Sequence, residues 1–329
     1  MAQIVVCDDV DGAFRNSGEL ARLDAVGEVT IYSEVAETRE AFLERLRGAQ
    51  VVMALRGRTA FDGETLRNLP DLRCIASTGP HRIDVKAATE LGIAVATTAG
   101  TSTESVADHV LGLILALARQ IIPADQALRR RRWEPLTGLE LEGKSLGILG
   151  LGRIGSAVAK RAQGFGLRII AWGPTLTPER AAASGARIVS EEELFRTADI
   201  LSVHLRYSNL SHDFVNANRL ALMKPTALLI DISRAGIVNR QHLAEALRSG
   251  QIAGAAMDLC HPCPVDMDDP ILDAPRTVLT PHMAWQTLDS YQRAARDSVD
   301  VVLAYLSGKP INVVNPDTLR SPRQAARRS

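Results

Sequence analysis

Ser145-Leu146-Gly147-Ile148-Leu149-Gly150-Leu151-Gly152-Arg153-Ile154-Gly155 reads as a buried strand running straight into a glycine-rich turn, and Ser156–Phe165 continues it as a helix. The first glycine permits the tight turn. The second lets backbone approach a pyrophosphate, and the third lets helix and strand pack closely. N–H groups at the start of the helix then face the phosphates. A glycine pattern alone is weak evidence; the strand before it and the helix after it give it weight. The predicted ligand is a dinucleotide, NAD or NADP, held by Gly150, Gly152, Arg153, Ile154 and Gly155. The next strand, Arg168–Trp172, leads into Gly173, Pro174 and Thr175, with no carboxylate for a ribose 2′-hydroxyl. Thr175, Thr177 and Arg180 are candidates to accept a 2′-phosphate, so the sequence leaves NAD and NADP open.

Outward from this unit, short strands rich in valine and isoleucine alternate with helices. Strands are predicted at Ile4–Asp8, Val29–Tyr32, Val51–Leu55, Cys74–Thr78 and Ala94–Thr98. Helices are predicted at Ala13–Ala25, Thr38–Leu46, Asp62–Leu69 and Asp84–Leu91, with Asp62 and Asp84 as N-caps and Gly48 and Gly92 as stops. A second such series runs from Leu146 to about Thr280. The rhythm is that of an α/β fold, two doubly wound parallel sheets covered by helices. Two helices, Glu104–Gln120 and Leu288–Ser307, are expected to carry the chain between domains. The expected boundaries are 1–100 with 286–316 for one domain and 101–285 for the dinucleotide domain, leaving 317–329 as an unstructured tail.

Bulk composition narrows the function classes. The chain has 329 residues, 46% hydrophobic, 23% charged and 4% aromatic, as a soluble globular protein has. Lys plus Arg equal Asp plus Glu at 38 each, which points to neither a nucleic-acid nor a membrane partner. Val110–Ala118 is too short to span a bilayer, and Met1 leads directly into the first strand with no signal peptide. Four cysteines make no disulfide scaffold. A cytoplasmic location is the expectation, and no metal site is predicted.

Several segments, in order, resemble the D-isomer-specific 2-hydroxyacid dehydrogenases over about residues 50–316. They are Thr103–His109, Gly143–Ile148 with Gly150–Gly155, Asp231-Ile232-Ser233-Arg234-Ala235-Gly236-Ile237-Val238-Asn239, Met257-Asp258-Leu259, and Leu279-Thr280-Pro281-His282. The resemblance implies a Rossmann cofactor domain inserted into a flavodoxin-like substrate domain. It implies hydride transfer from NAD(P)H to a small 2-oxo acid, giving a D-2-hydroxy acid. Arg234 would bind the substrate carboxylate, which suits a permanently charged, forked donor. His282 would be the acid/base group. Asp258 would hold the nicotinamide carboxamide, with Gly173, Thr175, His204, Ser233 and Ala284 also along the cofactor. Trp285 would line the substrate pocket. Arg56-Gly57-Arg58-Thr59 and Ser77-Thr78-Gly79-Pro80-His81 resemble two loops that complete the carboxylate pocket, through Arg56, Arg58, Gly79 and His81. Pro80 has no N–H to give there. The resemblance also implies a homodimer, through an apolar face of the 104–120 helix carrying Val106, Val110, Leu113, Ile114 and Leu117.

One departure bears on the chemistry. The family pattern Asp-Val-x-x-x-Glu-Pro is replaced by Asp258-Leu259-Cys260-His261-Pro262-Cys263-Pro264, which sets Cys263 where the glutamate partner of His282 belongs. A thiol is a weak hydrogen-bonding partner, mostly neutral at pH 7. Three readings stand: a reductase with an altered dyad, a dehydrogenase for an atypical substrate, and a non-catalytic dinucleotide sensor on the same fold. Cys260 and Cys263 also form a CxxC, read as unpaired thiols or as a redox pair beside the acid/base group.

Overall fold

The strands at Val51–Ala54, Cys74–Ser77 and Ala94–Thr97 are buried at every position, as strands in a parallel sheet covered on both faces must be. In the computed structural model, which describes residues 1–54, 58–80, 82–259, 264–321 and 323, the chain divides into two compact units, residues 1–102 with 287–329 and residues 103–286.

In the first unit β1 (Ala2–Cys7), β2 (Gly27–Ile31), β3 (Val51–Ala54), β4 (Cys74–Ser77) and β5 (Ala94–Thr97) form a wholly parallel sheet in the order β2-β1-β3-β4-β5. That is the flavodoxin-like order. Helices α1 (Arg39–Arg45), α2 (Gly63–Arg67) and α3 (Val85–Glu90) each begin on a side-chain cap. Thr38 accepts from Ala41 N–H at 3.1 Å, Asp62 from Thr65 at 2.7 Å and Asp84 from Ala87 at 2.9 Å. The helix predicted over Ala13–Ala25 does not form. Turns and a short 3₁₀ segment, Glu19–Leu23, take its place. The Asp9 carboxylate captures the N–H groups of Phe14 and Arg15, and Gly18 holds a φ of 72° just ahead of the segment.

The second unit runs α4 (Thr103–Ala118), α5 (Ile121–Arg129), β6 (Ser145–Leu149), α6 (Arg153–Gln163), β7 (Arg168–Trp172), α7 (Pro178–Ala183), β8 (Arg187–Ile188), α8 (Glu191–Thr197), β9 (Ile200–Val203), α9 (Ala217–Leu220), β10 (Leu228–Asp231), α10 (Arg240–Ser249), β11 (Gly254–Asp258) and β12 (Thr277–Thr280). Its seven strands are parallel in the order β12-β11-β10-β9-β6-β7-β8. Strand order reverses between β6 and β9, so the loops leaving those two strands flank a crevice at the sheet's C-terminal edge.

The long helix predicted over 104–120 ends early. Gln120 adopts a left-handed φ of 52°, and α5 departs from α4 at 61°. The apolar stripe expected to face a second subunit is inside this unit instead. Val106, Val110, Leu113 and Ile114 are buried, and the last three join the core that also holds Ile148 and Val158. The exposed apolar side chains lie just beyond, at Ile121, Ile122, Leu128, Trp133 and Leu136. Among the described residues no single helix is long and apolar enough to cross a membrane.

The chain returns to the first unit as α11 (Leu288–Leu306), capped by Thr287 on Ser290 N–H. Past it, Asn315 is buried against β5. Its Oδ1 accepts from Val95 N–H at 2.8 Å, and its Nδ2 donates to Ile93 O and Thr89 Oγ1. The tail expected to be unstructured from 317 begins in order. Pro316–Leu319 is a 3₁₀ turn, and Arg323 donates from its backbone to Gly92 O and from its side chain to Leu69 O. Asn315→Ala should therefore cost the first unit about 2 kcal/mol by stranding two buried groups, the Val95 N–H and the Ile93 carbonyl. A urea melt monitored on that unit, with an unchanged midpoint, would contradict this.

Candidate active site

The turn after β6 is built for backbone to approach a ligand. Gly150 has a φ of 99°, and a Cβ there would lie 2.9 Å from the His204 carbonyl carbon. A Cβ on Gly155 would sit 2.6 Å from Gly150 O, so helix and strand meet only because it is glycine. Gly152 differs: its missing Cβ faces open space, and it caps α6 without any side chain. The first N–H groups of α6 thus end at an uncapped helix terminus beside an open cradle, which fits a phosphate group. Arg153 and Ile154 are the first residues of that helix.

At the rim, β7 ends at Trp172 and is followed by Gly173 and an exposed Thr175. Arg180 ties the two loops together, donating to Thr175 O and to Leu151 O, both at 2.9 Å. His204, at the end of β9, has its Nε2 2.8 Å from Ser202 Oγ, while its buried Nδ1 has no partner among the described residues. Burial pushes its pKa down to about 3, so the ring is neutral.

Three further strand ends carry the acid/base candidates. After β10, buried Asp231 accepts from Ser233 N–H at 2.9 Å and from the Ser233 hydroxyl, which shapes the turn that presents an exposed Arg234. Burial raises the Asp231 pKa, against the pull of the Ser233 hydrogen bonds. β11 and β12 pair Asp258 with Thr280, and His282 follows with a left-handed φ of 53°. Asp258 organises this segment. Its Oδ1 accepts from the Thr280 hydroxyl at 2.6 Å and Met283 N–H at 2.9 Å, and its Oδ2 from Ala284 N–H at 3.0 Å. The His282 ring reaches back, Nδ1 lying 3.9 Å from Oδ2. Trp285 Nε1 donates to His282 O at 3.1 Å.

Sequence reasoning passed over His109 as a site residue. From α4 its Nε2 lies 3.0 Å from Thr280 Oγ1 and 4.0 Å from Asp258 Oδ1. Thr280 gives its only proton to Asp258, so His109 Nε2 is the donor to Thr280. Burial lowers the His109 pKa, with Asp258 working against it. His109 closes the quoted Thr103–His109 segment, but nothing in the sequence says which strand it meets.

In the first unit Arg58 donates to Asp8 O at 3.0 Å and pairs with Asp11 at 2.6 Å. Gly79 is bracketed by the Ser77 hydroxyl, which donates to Gly79 O at 2.9 Å. Arg56, His81, Cys260 and Cys263 lie outside the described residues.

Residues 111–284 match the family model described as D-isomer specific 2-hydroxyacid dehydrogenase, NAD binding domain. The chain is 38% identical over 293 residues to a glyoxylate reductase of Aeropyrum pernix, covering 85% of this chain and 87% of that one. It is 36% identical over 298 residues to a glyoxylate reductase of Thermococcus litoralis, covering 87% and 89%. A solved glyoxylate reductase from Paecilomyes thermophila superposes with a TM-score of 0.83 at 27% identity, over 95% of this chain and 98% of that chain. The chain belongs to the D-isomer-specific 2-hydroxyacid dehydrogenase family. Its two parallel-sheet α/β units are the family's fold, and a nicotinamide dinucleotide is the cofactor that family membership brings.

The open space at Gly152 gives a direct check. Gly152→Ala should fold as the parent does, because among the described residues no atom beyond its own chain neighbours lies within 4 Å of the added methyl. Yet it should weaken dinucleotide binding by at least about tenfold, since the methyl occupies the phosphate approach. Calorimetric titration together with a melting curve separates the two effects; unimpaired binding would mean the cradle is not the phosphate site.

Proposed function

We propose that the protein reduces a small 2-oxo acid to a D-2-hydroxy acid, with NADPH as the preferred cofactor. The observation that carries the reading is that Arg234 and His282 leave the same C-terminal edge of one parallel sheet, at the ends of β10 and β12, while the uncapped start of α6 opens at that edge after β6. When bound, the cofactor supplies the hydride. Arg234 presents its guanidinium to the substrate carboxylate, and its forked donors orient the oxo carbon. His282 gives its proton to the oxygen as negative charge develops there, and takes it back in the oxidative direction. The cysteine at position 263 brings no carboxylate to the place in the sequence where the resemblance sets the partner of His282.

NADPH is favoured by two features together. No carboxylate follows β7 to repel a 2′-phosphate, and Arg180 is held across the two loops at that rim. Homodimer formation is part of the same proposal, through the exposed apolar side chains of Ile121, Ile122, Leu128 and Trp133. The buried, unpaired thiols of Cys7 and Cys74 suit a reducing, cytoplasmic setting.

The test is oxidation of NADH and NADPH, under reducing conditions, across glyoxylate, pyruvate, hydroxypyruvate, phenylpyruvate and a branched oxo acid, with Cys263→Glu beside the parent. Turnover by the parent is expected. Dinucleotide binding without turnover in either protein would favour the sensor reading. Arg234→Ala should lower kcat/KM at least about a hundredfold with dinucleotide affinity unchanged. Arg180→Ala should weaken NADPH binding about tenfold and leave NADH alone; an equal effect on both would assign Arg180 to the loop, not to the phosphate. In sedimentation, the parent should be a dimer and Trp133→Glu a monomer, whereas a monomeric parent would remove the dimer.

A further inference from the structure

The sequence removes the glutamate expected beside the acid/base histidine, yet a carboxylate already stands near that ring on another strand. Asp258 Oδ2 is 3.9 Å from His282 Nδ1, and the Asp258 side chain is only 3% exposed. The two cannot drift apart cheaply. Met283 and Ala284, the residues directly after His282, both donate their N–H groups to this carboxylate, and Thr280, two residues before it, donates its hydroxyl. The loop that carries the imidazole is folded around the charge.

We propose that Asp258 is the positioning residue of His282 in this chain, holding the ring in place and favouring its protonated form in the role that the absent glutamate would have filled. The proposal rests on reading His282 as the acid/base group. The surrounding charges support it. Among the described residues the basic side chains within ion-pair reach of Asp258 are the imidazoles of His109 and His282. His109, on α4, is kept neutral by burial and donates to Thr280, so it does not cancel the carboxylate. Asp231, at the end of the neighbouring β10, has its pKa raised chiefly by burial and in lesser part by the Asp258 charge. A carboxylate within about 4–6 Å, shielded from solvent, favours an imidazolium.

The experiment is an NMR titration of the full chain carrying 13Cε1-labelled histidine, with the His282 resonance assigned by its loss in His282→Gln. In the parent, His282 should titrate above the ordinary histidine value of about 6.5. In Asp258→Asn it should fall by about one unit or more, a tenfold change in proton affinity. In Cys263→Ala it should stay within about 0.2 units of the parent, since a neutral thiol adds no charge. A parent His282 that titrates below the ordinary value overturns the proposal without any variant. So does an unmoved His282 in a folded Asp258→Asn, or an equal shift in Cys263→Ala. The readout is independent of turnover. A raised, Asp258-dependent pKa with no activity on any oxo acid would sink the reductase reading alone, and turnover with an Asp258-independent pKa would sink this one alone.

Discussion

Helix α6 lies against β6 at the distance of a bare backbone, and much of the second unit depends on that approach. A methyl on Gly155 would press on the Gly150 carbonyl. With the helix that close, Val158, Ala159 and Ala162 reach the same core as Ile148 on the strand, and α4, which packs on α6, adds Val110 and Ile114 to it. The same approach aims the uncapped start of α6 at the crevice beside His204. One absent side chain thus ties packing energy to ligand geometry. Such a glycine cannot be replaced to gain helix propensity without losing both.

Buried aspartates at strand ends perform a second, recurring task. Asp9 after β1, Asp231 ending β10 and Asp258 ending β11 each accept backbone N–H groups from a loop that follows or neighbours the strand. The parallel sheets offer no hairpin to define those loops, so side-chain acceptors define them instead. Each carboxylate is almost fully withdrawn from water and relies on these donors to remain tolerable as an anion. Loop shape and local charge therefore come from the same atoms, and the two loops that carry Arg234 and His282 are both of this kind.

Much of this was legible in the sequence, for identifiable reasons. Buried parallel strands are short apolar runs, and β3, β4 and β5 begin where those runs begin. Capping by Asp62 and Asp84 is a local interaction three residues long, so it could be read locally. The failures are places where a distant or competing partner decided. The 13–25 segment has helical composition, but Asp9 lies ahead of it and takes its first N–H groups. The apolar stripe of α4 showed that the face must be covered; periodicity does not say by what, and the cover is the unit's own core. At the site, the motif segments containing Asp258 and His282 could be recognised one at a time. The contact of His109 with Thr280 spans 171 positions and joins two elements that no sequence pattern pairs.

Asp258 carries two assignments, one to the nicotinamide amide by family resemblance and one to His282 by geometry, and they do not compete for the same atoms. An ionised carboxylate offers about four acceptor positions. Thr280, Met283 and Ala284 occupy three of them. A hydrogen bond to His282 would use the last, but at 3.9 Å the ring makes none to Asp258 Oδ2 and feels that carboxylate through charge. One acceptor position is left for an amide donor. A glutamate partner would act differently, through a direct hydrogen bond that fixes the tautomer of the ring. Under the proposal made for Asp258, the left-handed backbone at His282, held on both sides by Asp258 through Thr280 and Met283, supplies the direction that a glutamate hydrogen bond would have given the ring.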